Sequence, residues 1–318
     1  MNNILLSIVI PTYNRSDFLA RCLESVVASK ESRIEIVISD NCSPDNTEVV
    51  ASRFTDPRIR YFRQPVNLGA VRNFHFLANE AKGDYILFLT DDDFLLTGGL
   101  EKIINFILEF EPDGFKCGML VYQIKNQAAY LYSEFKNTFI AGPDEYEKQA
   151  RIFWNSHIAT CTCIKREALD FELFTKNVSN LYPSMLFMAM ARKKLGYIHE
   201  PVAVHIWENE VYWDDNTRPE DSGKLMAHRG DILTIMEDRL PSGFLKESEK
   251  LINRHSVNYL PITRFLSVEE RKERQIVFKM HAINERYSKL VTMMIHPIDQ
   301  FIRGSFARFL AQIVLRLK

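Results

Sequence analysis

Short apolar runs alternate with helical stripes through the first half of the chain. Leu5–Ile10, Ile34–Ser39, Ile59–Phe62, Tyr85–Thr90 and Cys117–Ile124 are rich in β-branched and aromatic residues and read as strands. Between them, Phe18, Leu19, Cys22, Leu23, Val26 and Val27 mark one helix face. A second face runs through Val71, Phe74, Leu77, Ala78 and Ala81, and a third through Leu100, Ile103, Ile104, Ile107 and Leu108. Strands buried on both faces and joined by single helices predict an α/β domain with a mostly parallel sheet, flanked by helices, and ligands at the carboxyl ends of its strands.

The pattern loosens further on. A strand is expected within 157–165 and a helix over 181–194. From about residue 220 the chain reads as helical, with a capping box at Ser267 and Glu270. This divides the chain into an α/β domain over 1–215 and a helical region over 216–318. In the last eighteen residues, 301–318, Ile302, Phe306, Phe309, Leu310, Ile313 and Leu317 form one stripe beside Arg303, Arg308, Arg316 and Lys318. Such a helix can lie on an anionic membrane surface, or pack on the domain or on a second copy in a homo-oligomer.

Charge and cysteine usage narrow the setting. The 318 residues carry 40 Lys+Arg against 41 Asp+Glu, so no excess of positive charge exists for general nucleic-acid binding. Five cysteines without a C-x-x-C pair fit a reducing compartment. The opening residues lack a basic signal-peptide region, and no apolar run is long enough to span a bilayer, so the expected location is cytoplasmic.

The polar loops after the first, second and fourth strands each carry aspartate: "PTYNRSD" (11–17), "DNCSPDN" (40–46) and "DDD" (91–93). Singly, Asp and Asn are common in turns and caps. Together on one sheet edge they suit a divalent cation, Mg²⁺ or Mn²⁺, completed by substrate phosphates. That chemistry covers nucleotidyl or phosphoryl transfer and the departure of a nucleoside diphosphate from a sugar. There is no G-x-x-x-x-G-K-[ST] and no G-x-G-x-x-G. A nucleotidyltransferase would want a Gly-rich basic loop after the first strand, where this chain has Arg15 as its one cation and no glycine.

"SIVIPTYNRSDFLARCLESVV", "IEIVISDNCSPDNT" and "NLGAVRNFHFLANEAKGDYILFLTDDDFL", in that order and spacing, resemble the family-two glycosyltransferases of the GT-A fold. The likeness covers roughly 5–110 and implies a nucleotide-binding half over 1–125 and an acceptor half over 126–215. It implies that Pro11, Thr12, Tyr13 and Asn14 contact the nucleotide base and that Asp40 accepts a hydrogen bond from it. Asn67, Gly69 and Asn73 would line the nucleotide-sugar pocket, with Gly69 free to turn as the next helix opens. "TDDD" stands for the family's D-x-D, with Thr90 at its first acidic position. In one register Asp91 holds the ribose or a metal-bound water and Asp92 ligates the metal; in the other, Asp91 pairs with Asp93.

The family's general base, the Asp of an "E-D" pair, has no counterpart at Tyr182, Pro183 and Ser184. Replacements come from 199–215, where relatives place a loop that closes over the donor. There His205 is a candidate third metal ligand, and Glu208 or Asp93 a candidate base. Trp207, Tyr212 and Trp213 suit stacking on an acceptor sugar or covering the core. The expectation is a metal-dependent hexosyl- or deoxyhexosyl-transferase acting on a glycan or lipid-linked acceptor in bacterial surface polysaccharide synthesis, with inversion. Its form somewhat resembles the O-antigen deoxysugar branch. The alternatives are a degenerate nucleotide-sugar or glycan binder and a nucleotidyltransferase.

Overall fold

Strand β1 (Leu6–Thr12) is buried along almost its whole length, which places it mid-sheet. In the computed structural model, which describes residues 4–124, 127–156, 158–171, 188, 194–207 and 237–259, it pairs in parallel with β2 (Ile34–Asp40) and, on its other side, with β4 (Tyr85–Phe88). Beyond β2 lies β3 (Ile59–Arg63), also parallel. These are the expected strands, with one difference. The run Tyr85–Thr90 leaves the sheet after Phe88, where Leu89 N–H still reaches the Val9 carbonyl and the chain turns into the aspartates.

Four helices accompany this half. In α1 (Ser16–Val27), Leu19, Cys22, Leu23 and Val26 are buried, as the 3.6-residue period predicts. The short α2 (Thr47–Ser52) follows β2, and α3 (Ala70–Glu80) buries Leu77 and Ala78. After the two-residue strand β5 (Phe94–Leu95), α4 (Gly99–Phe110) buries Leu100, Ile103, Ile104 and Ile107. Leu108, expected on that face, is 50% exposed: it lies one position past the stripe.

The second half makes the sheet mixed. Strand β6 (Gly114–Gln123) carries a hairpin partner, β7 (Ala128–Tyr132), and after β8 (Phe139–Ala141) and α5 (Tyr146–Asn155) comes β9 (Thr162–Lys165). β9 is antiparallel to both β4 and β6, and β6 pairs in parallel with the 13-residue β10 (Leu195–Trp207). The order among the described residues is β3-β2-β1-β4-β9-β6-β10-β5. Two reversals restore direction, so β6 and β10 run the same way as β4. The carboxyl ends of β1, β2, β4 and β10 therefore share one edge, with Thr12 in register with Asp40.

β10 corrects the expectation of a loop over 199–215: residues 199–207 are strand, and 208–215 lie outside the described residues. Pro201 concealed it, since proline cannot donate to a ladder. The structure accommodates Pro201 with register shifts on either side, opposite Gly118. The 181–194 helix, apart from Met188 and Lys194, the Ser267–Glu270 box and the 301–318 stripe also lie outside the described residues.

The sheet and helices α1 to α5 belong to a unit spanning Met1–Tyr212; a second spans Trp213–Lys318. The latter contributes a 3₁₀ turn at Glu237–Arg239 and α6 (Ser242–Tyr259). Among the described residues no helix is long and apolar enough to cross a membrane.

A Cβ on Gly118 would press into the His199 carbonyl oxygen, well inside van der Waals contact. Gly118→Ala is thus expected to destabilise the protein by about 1–3 kcal/mol through a backbone shift. A thermal melt indistinguishable from wild type would show that the β10 irregularity does not depend on this glycine.

Candidate active site

The first two loops are stitched to each other by hydrogen bonds. Asn14 takes a left-handed conformation (φ 54) and its N–H donates to Ser43 Oγ at 2.9 Å. Asp45 accepts from Ser16 N–H at 3.0 Å and from Thr47, so a β2 loop residue caps the start of α1. Asp45 is held below the usual carboxylate range: partial burial opposes this, but the Thr47 and Ser16 hydrogen bonds outweigh it. Pro11 is partly covered, and Tyr13 stands 44% exposed beside it. Thr12 is buried, and its hydroxyl completes no hydrogen bond.

Asp40 is fully buried, with Oδ1 accepting from Ser43 N–H at 2.8 Å and Oδ2 from Tyr61 Oη at 2.7 Å and Arg63 at 3.3 Å. It is no helix cap, since Asn46 holds that position on α2. Its visible work is to fix the 41–43 turn and to hold Arg63 beside it, where Arg63 also donates to the Ser43 carbonyl. Asn67 accepts from Asn41 Nδ2 at 2.8 Å and from Gly69 N–H at 2.9 Å. Gly69 has φ 79, and its Cβ position is open, so conformation and not space calls for glycine there. Asn73, expected to line the pocket, is 2% exposed and spends its amide on Ser39: Oδ1 accepts the hydroxyl at 2.5 Å and Nδ2 donates to the carbonyl at 3.0 Å. It braces α3 against β2 instead.

The three aspartates part company. Asp91 and Asp92 lie toward the β1 loop, where Arg15 Nη1 is 3.1 Å from Asp91 Oδ1 and 4.0 Å from Asp92 Oδ2. Asp91 Oδ2 is buried with no hydrogen-bond partner. Burial pushes Asp91 up to about 6 despite Arg15 and the nearby Thr12, with the Asp93 charge adding to the rise. Burial followed by repulsion from Asp93 and Asp91 pushes Asp92 up to about 7, again against Arg15.

Asp93 lies the other way and is fully buried. Its Oδ1 accepts from Ile206 N–H at 2.9 Å; its Oδ2 accepts from Thr90 Oγ1 at 2.8 Å and from Thr160 Oγ1. His205 Nδ1 sits 3.1 and 2.9 Å from the two oxygens. Burial lowers the His205 pKa, but the hydrogen bond and charge of Asp93, helped by Asp92, leave it raised. Behind them Lys116, almost wholly buried, donates to the Ile158 carbonyl at 2.7 Å and to the Thr160 carbonyl. Burial brings Lys116 down to about 8.

This geometry removes Asp93 from the candidate bases. Both oxygens are filled by donors and the side chain has no exposed surface, so an acceptor hydroxyl has no lone pair to reach. Nor does it cap α4, whose N-cap is Gly98. Glu208, Tyr212 and Trp213 lie outside the described residues; Trp207 is 41% exposed, its ring edge-on to His205 at 6.3 Å. Sequence reasoning missed Arg15 as a partner of the aspartates and the Lys116–Thr160 support. The basic residue after "PTYN" was a visible signal for the first; nothing in the sequence marked the second.

Among the described residues no three His, Cys, Asp or Glu side chains converge as a ready-made metal cage. A Mg²⁺ or Mn²⁺ ion held with substrate phosphates needs only one or two protein carboxylates. Asp91 and Asp92 meet that need: they are adjacent, under-neutralised, and one buried oxygen is without a partner.

The family model described as glycosyl transferase family 2 matches residues 7–170, just over half of the chain. The abequosyltransferase RfbV of Salmonella typhimurium is 38% identical over 120 residues, 36% of this chain and 35% of its own. A Campylobacter jejuni protein, the GalNAc(5)-diNAcBac-PP-undecaprenol beta-1,3-glucosyltransferase, is 34% identical over 103 residues, 31% of this chain and 33% of its own. The matched chain thus spans about a third of the length of these relatives. Among solved structures, S. aureus TarS 1-349 with UDP-GlcNAc superposes with a TM-score of 0.68 at 18% identity, covering 99% of this chain and 92% of that one. At that identity the likeness shows the fold alone, the GT-A type.

The sign of the pKa shifts gives a stability prediction. With folded-state values above the unfolded one, Asp91 and Asp92 bind protons in the native state at pH values where the unfolded chain has released them. Metal-free stability should therefore fall as pH rises from about 4 to 7. Asp92→Asn is expected to raise the metal-free melting temperature at pH 8 and leave it nearly unchanged at pH 4. A variant less stable than wild type at pH 8 would contradict this account of the pair.

Proposed function

The chain belongs to glycosyl transferase family 2, and on that premise we propose that it moves a sugar from a nucleoside-diphosphate donor to a hydroxyl of a glycan or lipid-linked acceptor, with inversion, in bacterial surface polysaccharide synthesis. The observation that carries the reading is the adjacent, buried Asp91 and Asp92 beyond β4, with Arg15 Nη1 at 3.1 and 4.0 Å and Asp91 Oδ2 without a hydrogen-bond partner. The names of relatives support the reading: one is an abequosyltransferase, and another is a glucosyltransferase named for a GalNAc(5)-diNAcBac-PP-undecaprenol, a lipid-linked glycan.

The residues divide the work. Tyr13, 44% exposed in the Pro11–Asn14 loop, offers its ring to the base, and Asp40, with the Ser43 turn it fixes, forms that end of the pocket. Asn67 and Gly69 shape the wall where α3 begins. Asp91 presents its unpartnered Oδ2 to a ribose hydroxyl or a metal-bound water. Asp92, the least buried of the three, is the direct carboxylate ligand for Mn²⁺ or Mg²⁺. His205, with Nδ1 held by Asp93, is the side chain that β10 brings to the same edge, as a further ligand or a contact for the diphosphate. A bound divalent cation supplies neutralisation of the charge that grows on the departing diphosphate.

The general base in this reading is Glu208, since Asp93 is committed to its donors. Trp207 offers an exposed aromatic face for the acceptor sugar. The basic stripe at 301–318 would bring the enzyme to the inner face of a membrane that carries a lipid-linked acceptor.

Pure protein with Mn²⁺ and a panel of nucleotide sugars should release nucleoside diphosphate slowly from its own donor, and Asp92→Asn should abolish the release while keeping a cooperative melt. Binding of a nucleotide sugar without release from any donor, with or without acceptor, would favour a degenerate binding protein, the reading motivated by the missing "E-D" pair.

A further inference from the structure

The sheet face that carries His205 continues sideways, across β6 and onto the hairpin strand β7. Successive residues of a strand point to opposite faces, and residues in register on paired strands share a face. The rows Tyr132–Met119–Ala203, Tyr130–Val121–His205 and Ala128–Gln123–Trp207 therefore lie on one face of β7, β6 and β10. The first row is core: Met119 and Ala203 are fully buried, and Tyr132 packs against the same cluster. In the second row Val121 is still fully buried, but Tyr130 at its flank is 42% exposed. In the third, Trp207 is 41% exposed at the opposite flank. The core surface thus runs out into solvent beside His205, with an aromatic ring on each side of it.

The two rings stand on the outer strands of the three, with Val121 and the small Ala128 low between them. Their backbones lie two strand spacings apart across the sheet and two residues apart along it, roughly 12 Å on the diagonal. One pyranose ring does not bridge that distance. Two rings joined by a glycosidic bond do, each laying its apolar C–H face on one aromatic face. The order of the rings follows from His205: the Trp207 ring is 6.3 Å from it, on the same strand, and Tyr130 is two strands away.

We propose that Trp207 and Tyr130 form a two-ring acceptor platform, in which Trp207 takes the sugar that is to be extended and Tyr130 takes the sugar before it. The acceptor is then a glycan of at least two rings, and a single sugar is a poor one. This rests on the reading of the His205 edge as a glycosyltransferase site and adds to it the size of the acceptor.

The test places the full-length chain, with Mn²⁺ and UDP, GDP or dTDP, on an array of bacterial mono-, di- and trisaccharides, and measures the best-captured glycan by isothermal titration. Wild type should capture glycans of two or more rings and not their single-sugar fragments. Tyr130→Ala should weaken the best glycan about tenfold, and Tyr130→Phe, which keeps the ring, should bind it as wild type does. Leu131→Ala is the control: Leu131 is 47% exposed on the opposite face of the same strand, and its loss should change nothing. Tyr130→Leu replaces the alanine variant if that one does not melt cooperatively. Unchanged glycan affinity without the ring overturns the proposal, as does an equal loss in Leu131→Ala. A wild type that holds single sugars as tightly as oligosaccharides, or captures no glycan of the panel, overturns it as well. Glycan capture that depends on Tyr130 in a protein that binds none of the nucleotides would instead support the platform and overturn the donor reading.

Discussion

Three consecutive carboxylates at the end of a buried strand have to be compensated, and the first unit is organised around how that is done. Asp93 is compensated from behind. The Thr90 and Thr160 hydroxyls, the Ile206 amide and His205 surround it, with Lys116 holding the Thr160 backbone in place. Asp91 and Asp92 meet Arg15 from the β1 loop, and Asp91 Oδ2 stays without a hydrogen-bond partner. On the proposed reading the saturated carboxylate is scaffold, and the pair with an open oxygen is the one to accept a cation.

The sheet topology makes both kinds of compensation available. Parallel β1, β2 and β4 bring the Arg15, Asp40 and Asp91 loops to one edge. The antiparallel β9 then delivers Thr160 next to β4 and turns β6 and β10 back into the common direction, so that a histidine more than a hundred residues away meets Asp93. Loop cross-links such as Asp45 to Ser16 and Ser43 to Asn14 tie the first two loops of that edge to each other.

Most of the nucleotide-binding half was legible from periodicity. Apolar β-strands flanked by Asp-bearing loops name both the element and the edge, and the stripes of α1 and α4 match their buried residues except at the half-buried Phe18 and Val27 and the exposed Leu108. The later half was harder to read because its strands pair over long distances and obey no simple alternation. β10 contains Pro201, tolerated through a register shift that no local pattern announces. The site was legible by position and not by role. Asp91 and Asp92 lie where the motif puts them, but that Asp93 is saturated and Asn73 turned to Ser39 depends on partners far away in sequence. Membership of glycosyl transferase family 2 explains the arrangement of the loops and leaves donor and acceptor to the residues at the rim.

The central claim is that the Asp91–Asp92 edge holds a divalent cation together with a nucleoside diphosphate. The most direct measurement is anomalous diffraction at the manganese edge from crystals of the protein grown with Mn²⁺ and UDP or another bound diphosphate. The account predicts one strong peak within coordination distance of Asp92, bridged to the diphosphate. A diphosphate bound with no manganese beside it, or manganese bound away from these carboxylates, would contradict it.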